Sequence, residues 1–330
     1  MSANAGPDWV VVAGAGGFIG GHLVKSLLRD GHRVRAVDIK PLRDWHQRHD
    51  RAENVSLDLS LREACDHALA GSVDVYNLAA DMGGMGFIEN NKALCMLSVL
   101  INTQLLIAAK KHRIRRFLFA SSACVYNGEH QSAADLRPLR ESDAYPAMPE
   151  DGYGWEKLFS ERMCLHFQSD FGISVRIPRF HNVYGPYGTW DGGREKAPAA
   201  ICRKVAQAKL DGRRELEIWG DGRQTRSFMY IDDCIDGVHR LMESSFSEPI
   251  NLGSSELVSI NQLVDLVETI AGMKLERRYL LDAPLGVRGR NSDNTLINAR
   301  LGWEPNTSLA SGLEPTYRWI TEQMQQRALR

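Results

Sequence analysis

Two short stretches hold the side chains best suited to chemistry. Ser121-Ser122-Ala123-Cys124 follows an apolar run, Phe117-Leu118-Phe119-Ala120, that reads as a buried strand; Tyr153-Gly154-Trp155-Glu156-Lys157 opens a helical pattern. Tyr and Lys at this spacing share one face of a helix, so the ammonium can sit beside the phenol and favour its ionised form. A hydroxyl, a thiol and an activated phenol meeting where a strand ends would suit a hydride-transfer site that also moves a proton on carbon. The Tyr-x-x-x-Lys spacing alone is too common to carry that reading, so the rest of the chain must supply a frame.

That frame begins at Trp9-Val-Val-Val-Ala13, a buried strand running into Gly14-Ala-Gly-Gly17-Phe18-Ile19-Gly20 and then an amphipathic helix from His22. Glycines at 14, 17 and 20 let the backbone turn, approach a pyrophosphate and pack helix on strand, while the helix N-terminus offers free N–H groups. Gly14, Gly17, Phe18, Ile19 and Gly20 are therefore candidate dinucleotide-binding residues. The next strand, Arg33–Val37, ends in Asp38, whose carboxylate can accept from both ribose hydroxyls and would repel a 2′-phosphate. This favours NAD over NADP, with Lys40 and Arg43 nearby as the opposing signal. Val55–Leu57 is a short strand, with Asp58 and Leu59 at the expected edge of the adenine pocket. Val73–Tyr76 is the fourth strand, and Asn77-Leu-Ala79-Ala80 is small enough for a cofactor to lie against. Asp81-Met-Gly-Gly-Met-Gly86 reads equally as a ligand-facing loop, with Gly83 in it, or as a mobile connection. Residues 88–112 read as one long helix, and Ile114–Ala120 leads into the fifth strand.

Strands alternating with helices predict an α/β chain, a Rossmann-type doubly wound parallel sheet whose ligands bind at strand carboxyl ends. The glycine loop and Ser121–Tyr126 both lie at such ends and can share a crevice. A polar insert, 127–150, separates the serine strand from the Tyr–Lys helix, and Ile173–Ile177 is a sixth strand. Beyond it, Glu217–Gly222 reads as strand and turn, Gln224–Phe228 as the lead-in to another strand, Pro249–Leu252 as a strand, and 231–242 and 260–270 as helices. The expected division is a dinucleotide-binding domain over 1–180, with 226–255 returning to it. A smaller interleaved α/β substrate-binding domain then comprises 181–225 and 256–330.

Across 330 residues the formal net charge is −1 and 25% are charged, so neither nucleic acid nor a membrane is expected as a partner on bulk charge. Six scattered cysteines without Cys-x-x-Cys argue against a zinc site or a disulfide framework and fit a reducing cytoplasm. No metal is expected. The stretch Met1–Asp8 has no basic region, so no signal peptide is expected, and no uninterrupted apolar run is long enough to span a bilayer.

Gly14-x-x-Gly17-x-x-Gly20, Asn77-Leu-Ala-Ala80, Ser121-Ser-x-x-Val-Tyr126 and Tyr153-x-x-x-Lys157 stand in the order found in extended short-chain dehydrogenases acting on nucleotide sugars. The resemblance covers essentially the whole chain. Within that superfamily the chain resembles the GDP-mannose 3,5-epimerases. The matching stretches are Ala79–Phe87, Ser121–Cys124, Arg179-Phe-His-Asn182, Gly188-Thr-Trp190, Gly192–Ala200, Gln224-Thr-Arg-Ser-Phe228 and Val287–Asn294. One departure is Asn127, where the family usually has proline.

The resemblance implies roles for residues that spacing alone leaves open. Cys124 and Lys196 would otherwise be a buried small hydrophobe and a surface lysine. In related 4,6-dehydratases the Cys124 slot holds a glutamate, and in 4-epimerases a small or hydroxyl residue. Tyr153 would deprotonate the C4 hydroxyl for oxidation by NAD. The resulting ketone acidifies C3 and C5, where Cys124 would act as base and Lys196 as acid from the opposite face. Ser122 would hold the C4 oxygen, and Lys157 the nicotinamide ribose. Arg288 and Lys204 would bind the diphosphate. Gly83, Ala123, Asn182, Glu195, Ala197, Gln224, Thr225 and Arg226 would line the substrate pocket. Alternatives on the same scaffold are a 4-epimerase, a C5-only epimerase or a 4,6-dehydratase, and, further off, a non-catalytic NAD sensor. The implied substrate is a nucleotide sugar, with GDP-mannose favoured. The helices near 88–112 and 151–170 would pair two subunits in a homodimer.

Overall fold

The run Trp9-Val-Val-Val-Ala13 is the centre of the molecule because it is apolar on both faces. Val10 and Val12 point into one core and Val11 and Ala13 into another, as the alternation of side chains along a strand requires. Helices must therefore cover both sides of any sheet this strand joins. The computed structural model, which describes residues 8–283 and 286–329, has that arrangement. The expectation about the N-terminal segment falls, for residues 1–7, outside those described.

The main sheet is parallel throughout. Its order is Pro249–Leu252, Ser174–Phe180, Arg116–Phe119, Ser72–Asn77, Trp9–Ala13, Arg33–Asp38, Glu53–Ser56, and the short strand Ser121–Ser122 also pairs with Ser174–Phe180. One covering layer uses Phe18–Arg29 and Ile231–Glu243; the other uses Arg62–Leu69, Ser98–His112 and Tyr153–Phe171. A third apolar core unites the helices Ala197–Asp211, Ile260–Ala271 and Leu309–Ala328. Three small sheets lie outside the main one: Glu215–Trp219 with Glu276–Leu280, Val183–Tyr184 with Met229–Tyr230, and Thr225–Ser227 between Leu257–Ser259 and Gly289–Arg290.

Two local expectations change. The single helix over 88–112 is three, Met85–Asn90, Lys92–Met96 and Ser98–His112. Asn91 leaves helical geometry (φ −135°, ψ 41°) while its side-chain amide donates to the Phe87 carbonyl at 2.9 Å, a local bond that competes with the helix. Gln224–Phe228 does not merely precede a strand, since Thr225–Ser227 is one, and Ser227 is fully buried. Lys92–His112, though no uninterrupted apolar run, contains an 18-residue window of mean hydropathy 1.6, apolar enough by length and composition to cross a bilayer. Part of that apolar character is accounted for by the core, where Leu105, Leu106, Ala108 and Ala109 are buried against the sheet.

Candidate active site

The carboxyl end of the Ser121–Ser122 strand is built to present one serine to each side. Ser121 turns inward, where its hydroxyl donates to Glu161 at 2.5 Å, and Glu161 receives Arg179 through two bonds of 2.9 and 2.8 Å. Arg179 is almost wholly buried and lies over the Tyr126 ring. A bidentate ion pair so deeply buried costs desolvation but holds its geometry well, and here it anchors the strand from below. Ser122 faces the other way and caps the helical turn Ala123–Val125 by accepting from the Cys124 amide at 3.2 Å.

The Tyr153–Phe171 helix presses its first turn against this cap. Gly154 permits the approach, because a Cβ there would stand 2.4 Å from the Cys124 carbonyl oxygen. We expect Gly154→Ala to displace the Cys124 turn, lowering the melting temperature by several degrees, as overpacking costs about 1–3 kcal/mol. Differential scanning calorimetry beside a turnover assay checks this.

Ser122, Cys124 and Tyr153 all line a cavity of about 430 Å³. Burial pushes the Tyr153 phenol well above its usual range, the neighbouring Cys124 and Glu156 add to this, and the Ser122 hydroxyl pulls it back by hydrogen bonding. Burial also raises the Cys124 thiol, with Glu150 adding to the rise and Arg290 and Ser122 opposing it. Lys157 lies one turn beyond Tyr153, buried, with its Nζ 3.5 Å from Glu156, 4.7 Å from the Phe119 ring centroid and 5.5 Å from that of Tyr153. Burial, rather than this ammonium, dominates the phenol.

The far wall comes from the second region. Lys196 is the residue before the Ala197–Asp211 helix, and burial lowers its pKa while the facing Cys124 raises it. Gly83, Ala123, Asn182, Glu195, Ala197, Lys204, Gln224 and Arg226 line the same cavity. Glu195 is held by the Gly193 amide at 2.7 Å and by Arg203 at 3.0 Å, and Lys204 donates to the Glu217 carbonyl at 2.8 Å. Two buried acceptors on the wall, Glu150 Oε1 and Gln224 Oε1, have no hydrogen-bond partner among the described residues, and a polar ligand would supply their missing donors.

Comparison with known proteins fits this geometry. The profile of the NAD dependent epimerase/dehydratase family matches residues 10–253. The GDP-mannose 3,5-epimerase of Arabidopsis thaliana is 49% identical over 319 residues, covering 96% of this chain and 83% of that one. This chain belongs to the NAD dependent epimerase/dehydratase family. Among solved structures, the UDP-glucose 4-epimerase of Thermotoga maritima aligns with TM-score 0.86 at 25% identity, over 96% of this chain and 99% of that one. The UDP-glucuronic acid 4-epimerase of Bacillus cereus, solved with UDP-glucuronic acid and NAD, aligns with TM-score 0.81 at 27% identity, over 96% and 99%.

A family member needs a cradle for NAD, and the glycine loop has the close backbone approaches such a cradle requires. A Cβ on Gly14 would stand 2.8 Å from the Leu78 backbone, and one on Gly20 would stand 2.1 Å from the Gly14 carbonyl oxygen. Gly17 caps the helix that starts at Phe18 and Ile19 with no side-chain bond, leaving the N-terminal amides open. Asp38 ends its strand and accepts from the Gly16 and Lys40 amides, both at 3.0 Å. These bonds orient the carboxylate and leave lone pairs for a ribose. Ala79 and Ala80 follow the strand that ends in Asn77, and Leu59 is buried beside Asp58.

The cavity does not collect every residue the family resemblance suggested. Arg288 turns away to pair with Asp221 through bonds of 2.9 and 2.7 Å. The Thr225 hydroxyl donates to the Ala134 carbonyl at 2.5 Å. Arg290, two residues on, reaches the cavity in place of Arg288, and with it come Glu150, Trp219 and Phe228. Sequence reasoning missed these four. Arg290 lay within the matched stretch Val287–Asn294, so that signal existed. Glu150 closed a proline-bearing insert with no signal of its own. Asn127, at the family's proline position, caps the following turn by accepting from the Glu129 amide at 2.9 Å and donates to the Pro146 carbonyl at 3.0 Å.

Proposed function

We propose that this chain is an NAD-dependent GDP-mannose 3,5-epimerase. The observation that carries the reading is the facing of Cys124 and Lys196 across one cavity that also contains Tyr153 and Ser122. Inversion at carbon needs a base on one face and an acid on the other, and a 4-epimerase needs neither.

The glycine loop would hold NAD, which when bound would supply a hydride acceptor and donor for C4 with no net redox change. Tyr153 accepts the C4 hydroxyl proton as that hydride leaves, and Ser122 donates a hydrogen bond to the C4 oxygen. Lys157 holds the nicotinamide ribose. The C4 ketone acidifies C5 and C3, because the electron pair released by each C–H bond spreads onto oxygen. Cys124, as thiolate, takes that proton, and Lys196, as ammonium, delivers another to the opposite face of the carbon. Tyr153 then gives its proton back to the C4 oxygen. Lys204 supplies positive charge to the diphosphate, and Asn182, Glu195, Gln224 and Arg226 shape the pocket. Incubation with GDP-mannose should yield the C5-inverted and the C3,C5-doubly inverted GDP-hexoses by NMR; recovery of a C4 epimer or a 6-deoxy-4-ketone would contradict the reading.

The active molecule in this reading is a homodimer in a reducing cytoplasm. Leu97, Leu100 and Ile107 on the 92–112 segment and Trp155 and Phe159 on the neighbouring helix are exposed, with Phe159 at 56%. An apolar face of this kind on two packed helices suits a second copy. All six cysteines are buried and unpaired, which suits a reducing compartment. The double variant Leu100→Glu, Phe159→Glu should run as a monomer in light scattering at concentrations where the parent runs as a dimer.

A further inference from the structure

Cys124 is asked to work as a thiolate in a place that disfavours one. Burial is the largest influence on it and favours the neutral thiol, and the Glu150 carboxylate pushes the same way. Something in the wall must oppose both if the base is to be available near neutral pH.

Arg290 is placed to do so. Its guanidinium is buried, 6% exposed, and spans three groups. Nη1 donates to Cys124 Sγ at 3.4 Å, Nη2 to Glu150 Oε2 at 3.4 Å, and Nε to Gln131 Oε1 at 2.6 Å. Gln131 is itself buried and donates to the Tyr126 and Asn127 carbonyls at 3.2 and 3.3 Å, so its amide oxygen is fixed toward Arg290. The strand Gly289–Arg290 is held close as well, because a Cβ on Gly289 would stand 2.4 Å from the Ala133 carbonyl oxygen.

We propose that Arg290 is the positioning residue for Cys124, holding the thiol in register with the cavity and stabilising its thiolate, with Glu150 as the counterweight. A guanidinium stays charged throughout the working range and offers directed donors. The pairing satisfies the sulfur and the carboxylate with one buried cation, where either anion alone would be costly. The other charged or titratable groups facing Cys124 are Tyr153, Lys196 and Arg226. Lys196 and Arg226 favour the thiolate. Arg290 donates directly to the sulfur. The inference rests on Cys124 being the base.

The test reads thiolate formation directly. The NAD-loaded enzyme is alkylated with iodoacetamide across pH 6–10, and modification of Cys124 is followed by peptide mass spectrometry. Arg290→Gln should slow alkylation at pH 8 about tenfold, Arg290→Lys should recover part of the loss, and Glu150→Gln should speed it. A merely structural role would not move the two variants in opposite directions. Should Arg290→Gln fail to fold, Glu150→Gln still decides through its sign. Profiles unchanged from the parent in the foldable variants would overturn the inference. Solvent deuterium exchange at C5 by Cys124→Ser is measured alongside. Persisting exchange there removes the base assignment, whereas lost exchange with unchanged alkylation profiles removes only the role of Arg290.

Discussion

Tyr153→Phe lowers kcat by about 10³-fold, within the range seen when a positioned proton-transfer group is removed. The phenol is the first residue of its helix and is 5% exposed, with its hydroxyl beside Ser122. Phenylalanine fills the same volume, so the helix start and the Cys124 turn should stay in place. NAD and GDP-mannose affinities, measured by calorimetry, should change little, and the loss should fall on kcat. Burial drives this phenol upward, so the parent's turnover should rise with pH into the alkaline range as the phenolate forms. The variant should lack that rise.

Cys124→Ser separates the two halves of the chemistry. Serine keeps the hydrogen-bonding position and nearly the size, but its hydroxyl is far too weak an acid to be present as an anion. Oxidation at C4 should continue, giving a 4-keto sugar nucleotide detectable by mass spectrometry, while epimerised product falls by about 10³-fold. Equal product formation by parent and variant would show that another group, with the nearby Glu150 carboxylate the first candidate, takes the proton.

What the sequence made legible was whatever is encoded locally. The glycine loop declares itself because strand, turn and helix follow within a dozen or so residues of chain, and close contacts such as Gly20 on Gly14 leave no room for a side chain. Tyr153 and Lys157 are one helical turn apart. Ser122 is marked by the family resemblance alone; that Ser121 anchors to Glu161 while Ser122 faces the cavity comes only with the structure. Lys196 is a different case. As a lysine before a helix it looks like a surface residue, and only its likeness to relatives marked it out.

The remainder depends on how distant segments meet. Arg290 contacts a thiol 166 positions away and a carboxylate 140 positions away. Its neighbour Arg288 has the same chemistry, yet it ends on Asp221. Which arginine enters the cavity follows from the register of Gly289–Arg290 beside Thr225–Arg226. Nothing in the residues themselves encodes that register. The break at Asn91 likewise turns on a contact, its side-chain amide donating to the Phe87 carbonyl, that the polar run Glu89–Lys92 does not by itself specify.

In the proposed mechanism protons move on carbon between Cys124 and Lys196. The most direct test is to incubate the holoenzyme with GDP-mannose in deuterium oxide and follow the sugar ring by proton NMR and mass spectrometry. The C5 proton signal should be lost, with slower loss at C3, as deuterium enters from solvent while the C4 hydrogen is retained. Product formed with both C3 and C5 still carrying only protium would contradict it.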